Sequence, residues 1–121
     1  KRIKGLVSIP VIGNGDVKDA RDVRVKIDAG YCDLVMIGRA AWNNPSLFSE
    51  IAGKDILSRR EVLVRYFELC KKYPVTDLSD VRAQVSGMIS GLSNVKKTRI
   101  AVVGAKDLSQ MESVVLTGLP D

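Results

Sequence analysis

Two short segments, "VSIPVIG" (7–13) and "CDLVMIG" (32–38), constrain this chain more than any other feature. Each is dominated by apolar residues and lacks the polar alternation of a half-exposed strand, so each reads as a strand covered on both faces. Between them, "DVKDARDVRVKIDAG" (16–30) takes a helical period. Val17, Ala20, Val23 and Ile27 make one face, and Lys18, Arg21, Asp22 and Lys26 lie outside it. Asp19 is placed to cap the first turn, and Gly30 sits where a left-handed C-terminal cap is wanted. Strand, helix and strand in this order form a βαβ unit with parallel strands. After Gly38, "RAAWNNPSLFSEIAG" reads as a loop and a short helix, with Asn44 as its cap and Pro45 in its first turn. Two parallel strands cannot close a core. The unit must extend a larger parallel sheet or barrel, or pair with a copy of itself.

The period changes after Gly53, which sets the expected domains at 1–53 and 54–121. "SRREVLVRYFELCKKY" (58–73) is a helix with Ser58 and Glu61 at capping-box spacing and Pro74 behind it. Val62, Tyr66, Leu69, Cys70 and Tyr73 fall on one face. "DLSDVRAQVSGMISG" (77–91) follows, with Asp77 as cap and Leu78, Val81, Val85, Met88, Ile89 and Leu92 at helical spacing. "NVKKTRIAVVG" (94–104) and "DLSQMESVVLTG" (107–118) read as two further helices capped by Asn94 and Asp107. The expected second half is a small helical bundle.

Composition narrows the chemistry. The 121 residues include no histidine and two distant cysteines, Cys32 and Cys70. A zinc site and histidine acid–base catalysis are thereby disfavoured, and the cysteines read as free, buried thiols in a reducing, cytoplasmic setting. No apolar run approaches the roughly 20 residues of a membrane span. The net charge of +5 fits an anionic partner without requiring one. With no initiator methionine and a start close to a strand, the chain reads as a fragment.

Ligands of parallel α/β units sit at the carboxyl ends of the strands. Two loops occupy those ends here: Gly13-Asn14-Gly15-Asp16 and Gly38-Arg39-Ala40-Ala41. Their glycines let backbone approach a ligand, and Arg39 adds a forked cationic donor. Each loop alone also reads as an ordinary turn; together, on successive strands, they match a phosphate cradle. Asp16 would repel a phosphate if it pointed inward, so its side chain is expected to cap its own loop or helix. Trp42, Tyr66 and Tyr73 could stack on bases, although the helical spacing of Tyr66 makes it a core residue.

"IPVIGNGDV", followed by "CDLVMIGRAAWNNPSLFSEI", closely resembles the last two βα units of the tRNA-dihydrouridine synthases. "VRAQVSGMISGLSNVKKTR" is similar, more loosely, to that family's C-terminal helical segment. The resemblance implies the C-terminal part of a (β/α)8 TIM barrel followed by a helical tRNA-binding domain. It implies an FMN enzyme that reduces uridine to dihydrouridine in tRNA with NADPH, by hydride transfer to C6 and proton delivery from a cysteine to C5. Carried over residue by residue, it assigns Asn14, Gly15, Asp16, Gly38 and Arg39 to the FMN phosphate and Arg82 to RNA. Lys96, Lys97 and Arg99 could add basic charge nearby, or simply form a solvated helix face. Ala83, Gln84, Ser90 and Ser93 depart from the family pattern around Arg82. The family's catalytic cysteine matches neither Cys32 nor Cys70, so no catalytic residue is expected in this chain. It is expected to need an N-terminal barrel half and to be inactive alone. Two other readings remain: a different FMN- or phosphate-binding barrel oxidoreductase, and a non-enzymatic RNA-binding module.

Overall fold

A computed structural model describes residues 2–74 and 77–119. The chain divides into two compact units, Lys1–Ile56 and Leu57–Asp121.

The first unit opens on a 3₁₀ turn, Lys4–Leu6, and carries strand β1 (Ile12–Gly13), helix α1 (Ala20–Asp28), strand β2 (Leu34–Val35), and helices α2 (Arg39–Asn43) and α3 (Leu47–Ile51). β1 and β2 are parallel, with Ile12 opposite Leu34 and Gly13 opposite Val35. Both strands are far shorter than the seven-residue segments expected. The Asp19 carboxylate accepts from the Asp22 N–H and caps α1, and Gly30 takes a positive φ of 68° just beyond its end. Val17, Ala20, Val23, Cys32 and Leu47 are buried around this helix. Gly13 has a packing reason to be glycine: a Cβ there would sit 2.7 Å from the Cys32 sulfur.

Three expectations need correction in this unit. The strands are not covered on both faces, since Ile12 and Leu34 are 64% and 57% exposed. The helices cover one side, and nothing among the described residues of this unit covers the other. Ile27 is exposed rather than part of the inward face of α1. Asn44 does not cap the helix after Pro45. α3 begins at Leu47 with Ser46 at the cap position and no side-chain cap bond, and Asn44 contributes only its main-chain carbonyl, to the Leu47 N–H.

The second unit holds α4 (Arg59–Lys72), α5 (Leu78–Met88), α6 (Lys96–Gly104) and α7 (Leu108–Gly118). Ser58 and Glu61 form a complete capping box on α4: the Ser58 hydroxyl accepts from the Glu61 N–H and the Glu61 carboxylate accepts from the Ser58 N–H. Asp77 and Asp107 cap α5 and α7. The Gln110 side chain reaches the Lys106 N–H, one residue before the position a capping box would use. A single core joins all four helices, built on Leu63, Phe67, Val85, Ile89, Val102, Met111 and Val115. Burying such side chains contributes about 1.5–3 kcal/mol each.

Here too the sequence pattern is adjusted. The inward face of α4 is Val62, Leu63, Phe67 and Cys70, while Leu69 and Tyr73 are exposed. The face is rotated toward Leu63 and Phe67, which lie fully buried in the core shared with α5, α6 and α7. Tyr66 packs edge-on against Phe67 at 6.0 Å between ring centroids. Asn94 does not cap α6 through its side chain; it adopts φ 59°, and Val95 takes the cap position. A residue in the left-handed region cannot also hold the extended geometry of an N-cap.

Candidate functional site

The two strand-end loops lie side by side because β1 and β2 are adjacent and parallel. Asn14, Gly15, Asp16, Val17, Met36, Gly38, Arg39 and Ala40 line one open cleft of about 290 Å³. Gly15 holds φ 138°, a conformation that disfavours any side chain. An added Cβ at Gly38 would come no closer than 4.0 Å to the Met36 sulfur, so close packing does not demand this glycine. All five residues assigned to the phosphate cradle are thus brought together in one unit.

Two features differ from expectation. Arg39 opens α2 instead of lying in a loop. The Asp16 carboxylate does not cap its own loop or helix; it accepts from the Arg39 guanidinium at 2.5 Å, across the two loops. Their side chains are 77% and 90% exposed, so the pair is a solvent-screened one that stabilises the fold little. It gives the cleft one cation and one anion. A phosphate entering here would take Arg39 from Asp16, and the cleft has the size, the exposed glycine backbone and the forked donor for that exchange.

A second open cavity of about 560 Å³ adjoins the first and adds Lys18, Asn43 and Asn44. The sequence pattern had placed Lys18 merely on an outer helix face. Its proximity to Arg39 depends on how the loop after β1 folds back, and no local signal encodes that.

The second unit places the other candidates on two helices. Lys96, Lys97 and Arg99 are exposed on the first turns of α6. Arg82 on α5 is only partly exposed, and its guanidinium donates to the Ala105 carbonyl at 2.6 Å. Trp42 is exposed on α2. Cys32 and Cys70 are free and buried. Burial and the neighbouring Cys70 push the Tyr66 hydroxyl pKa well above its ordinary range. Among the described residues no group of three or more acidic, cysteine or histidine side chains could hold a metal ion. No described helix is long and apolar enough to cross a membrane.

Residues 1–112 match the family model described as dihydrouridine synthase. A protein of Aquifex aeolicus (strain VF5) called "Probable tRNA-dihydrouridine synthase" is 27% identical over 118 residues, covering 92% of this chain and 37% of the relative. "tRNA-dihydrouridine synthase B" of Yersinia pestis is 47% identical over 51 residues, 42% of this chain and 16% of its own length. The protein of the same name from Escherichia coli (strain K12) is also 47% identical over 51 residues. The chain therefore spans little more than a third of the Aquifex aeolicus relative and a smaller share of the other two.

Proposed function

The chain belongs to the dihydrouridine synthase family, and from that premise we propose that it is the part of a tRNA-dihydrouridine synthase that holds the FMN phosphate and contributes to the grip on tRNA. In this reading residues 1–53 supply the last two βα units of a (β/α)8 barrel, and 54–121 form the tRNA-binding helical domain. The whole protein would reduce uridine in tRNA, with NADPH as reductant, in the cytoplasm. The observation that carries the proposal is the shared cleft of the loops after β1 and β2, with Arg39 at its mouth.

The residues fit a phosphate monoester. Arg39 would give the charged donor, Asn14 a side-chain donor, and Gly15 and Gly38 close backbone approach. Asp16 acts as the counter-ion that keeps Arg39 turned into the cleft, and would release it on binding. FMN, when bound, supplies the hydride for the reduction. Lys96, Lys97 and Arg99 would meet RNA phosphates; a basic exposed helix turn is the electrostatic footprint such contacts need. The exposed faces of Ile12, Leu34 and Met36 would be covered by the barrel half that this chain lacks.

The test joins this chain to that barrel half. The purified protein should carry flavin absorbance and form dihydrouridine in an unmodified tRNA transcript when NADPH is added. Arg39→Ala should release the flavin. A well-folded protein that holds no flavin, or an Arg39→Ala variant that keeps it undiminished, overturns the reading.

A further inference from the structure

The arginine that sequence resemblance assigns to RNA is not free to reach it. Arg82 sits on the middle of α5 and turns its guanidinium onto the Ala105 carbonyl, immediately past the C-terminus of α6. Ala105 itself is buried. The Arg82 Nε is out of contact with water and has no hydrogen-bond partner among the described residues. An arginine held ready for a phosphate would keep its whole fork in solvent. Here one terminal nitrogen, Nη2, is taken up by a main-chain carbonyl and Nε is shut away from solvent, so two of the three guanidinium nitrogens are committed inside the unit. The place it occupies is favourable to a cation, because the last carbonyls of a helix carry the negative end of its dipole.

The other end of α6 is fixed as well. Thr98 is buried in its first turns and donates its hydroxyl to the Gly118 carbonyl at the end of α7. Their contact is close enough that a Cβ on Gly118 would fall 2.3 Å from the Thr98 hydroxyl oxygen. α6 is therefore pinned at both ends, by Thr98 to α7 and by Arg82 to α5. Val95, Thr98 and Val102 face inward. Lys96, Lys97 and Arg99 occupy the outward arc, beside the exposed Ile100 and Val103.

We infer that Arg82 is a positioning residue, which sets the angle at which α6 presents Lys96, Lys97 and Arg99 to RNA and touches no RNA itself. The inference rests on the proposed RNA contact of α6. It is tested by a mutant cycle on the 121-residue chain, with bulk tRNA as probe and affinity measured over a range of salt concentrations. The variants are Arg82→Met, the triple Lys96→Ala/Lys97→Ala/Arg99→Ala, and the two combined. The triple variant should weaken binding and reduce the slope of log affinity against log salt by about 2. Arg82→Met should weaken binding several-fold in the native background and have no further effect in the triple background. Arg82→Lys, which keeps a donor for Ala105, should restore most of the loss. Should Arg82→Met fail to fold, the same cycle is run with Arg82→Gln, which removes the charge and shortens the reach to Ala105, and amide exchange at the end of α6 reads its hold on the helix. Equal losses in both backgrounds, with a slope decrease of about 1 from Arg82→Met, would mark a direct phosphate contact and overturn the inference while leaving the RNA reading intact. A triple variant that binds tRNA like the native chain overturns both.

Discussion

The two units solve the problem of burial to very different degrees. The helical unit buries a continuous core from Val62 to Leu119, with Leu63, Phe67, Val85, Ile89, Val102, Met111 and Val115 fully enclosed. The βα unit buries Val17, Ala20, Val23, Cys32 and Leu47, and leaves Leu6, Ile9, Ile12, Leu34, Met36 and Phe48 open. Its strands are just as apolar as the helices. What differs is that four helices can enclose one another, whereas a two-stranded sheet has two faces and two edges and only enough helix for one face. A unit of the first kind encloses its apolar residues; a unit of the second kind leaves a face of its sheet open.

The largest test of this contrast is a pair of truncations. Phe67→Ala should destabilise the helical unit by about 3–5 kcal/mol, whereas Ile12→Ala should change stability by no more than about 0.5 kcal/mol. Urea unfolding followed by helical circular dichroism reads both. A loss on Ile12→Ala comparable to that on Phe67→Ala would mean that the strand face is covered after all, and would break the comparison.

Gly118→Ala comes next. Its new methyl group would collide with Thr98, at an expected cost of about 1–3 kcal/mol. Combining it with Thr98→Ala should cost less than the sum of the two single changes, because the smaller side chain makes room. Additive losses would place the strain elsewhere.

Smaller effects separate true caps from apparent ones. Ser58→Ala should cost about 1 kcal/mol by removing half of the capping box on α4. Asn44→Ala, where no side-chain cap exists, should cost no more than about 0.5 kcal/mol. Glu61 adds a pH dependence. Hydrogen bonds from the side chain and backbone of Ser58 hold its pKa below the ordinary 4.5. Its folded pKa is depressed, so its contribution is complete above pH 4.5 and disappears as pH falls through the lower folded value. Thermal midpoints measured across that acid range should fall less steeply in Glu61→Gln than in the native chain. Parallel curves would show that the carboxylate is not the titrating group.

The smallest effect on stability is expected from Arg39→Ala, since its ion pair with Asp16 is exposed to solvent. Its effect should appear instead as lost affinity for a phosphate monoester, measured by calorimetry on the chain joined to its barrel half. Such a split between stability and binding would sharpen the contrast between a unit that encloses its own core and one whose loops are proposed to hold a ligand.

Much of the fold was legible in the chain because its signals are local. Asp19, Asp77 and Asp107 satisfy N–H groups two or three residues ahead, and Ser58 with Glu61 closes a ring of four residues. These contacts need nothing but their own segment, and all were readable from spacing. The apolar periodicity of α5 was legible for the same reason. Asn44 and Asn94 misled because a residue type suited to capping also suits turns, and only backbone geometry tells the two apart. Leu69, Tyr73 and Ile27 misled because a helical stripe is wider than the surface a neighbour covers.

By itself, then, the sequence determined where α1, α4, α5 and α7 begin, which segments prefer to be strands, and that two glycine-bearing loops follow those strands. Tertiary structure decided which apolar residues are enclosed and what the charged ones touch. Arg39 meets Asp16 across 23 residues of chain, and Arg82 meets the Ala105 carbonyl across another 23. Neither partner is marked by any period or motif. Each bond exists because helices and strands, once packed, bring distant segments within a side chain's length, and the energy of that packing is collective rather than written at any one position.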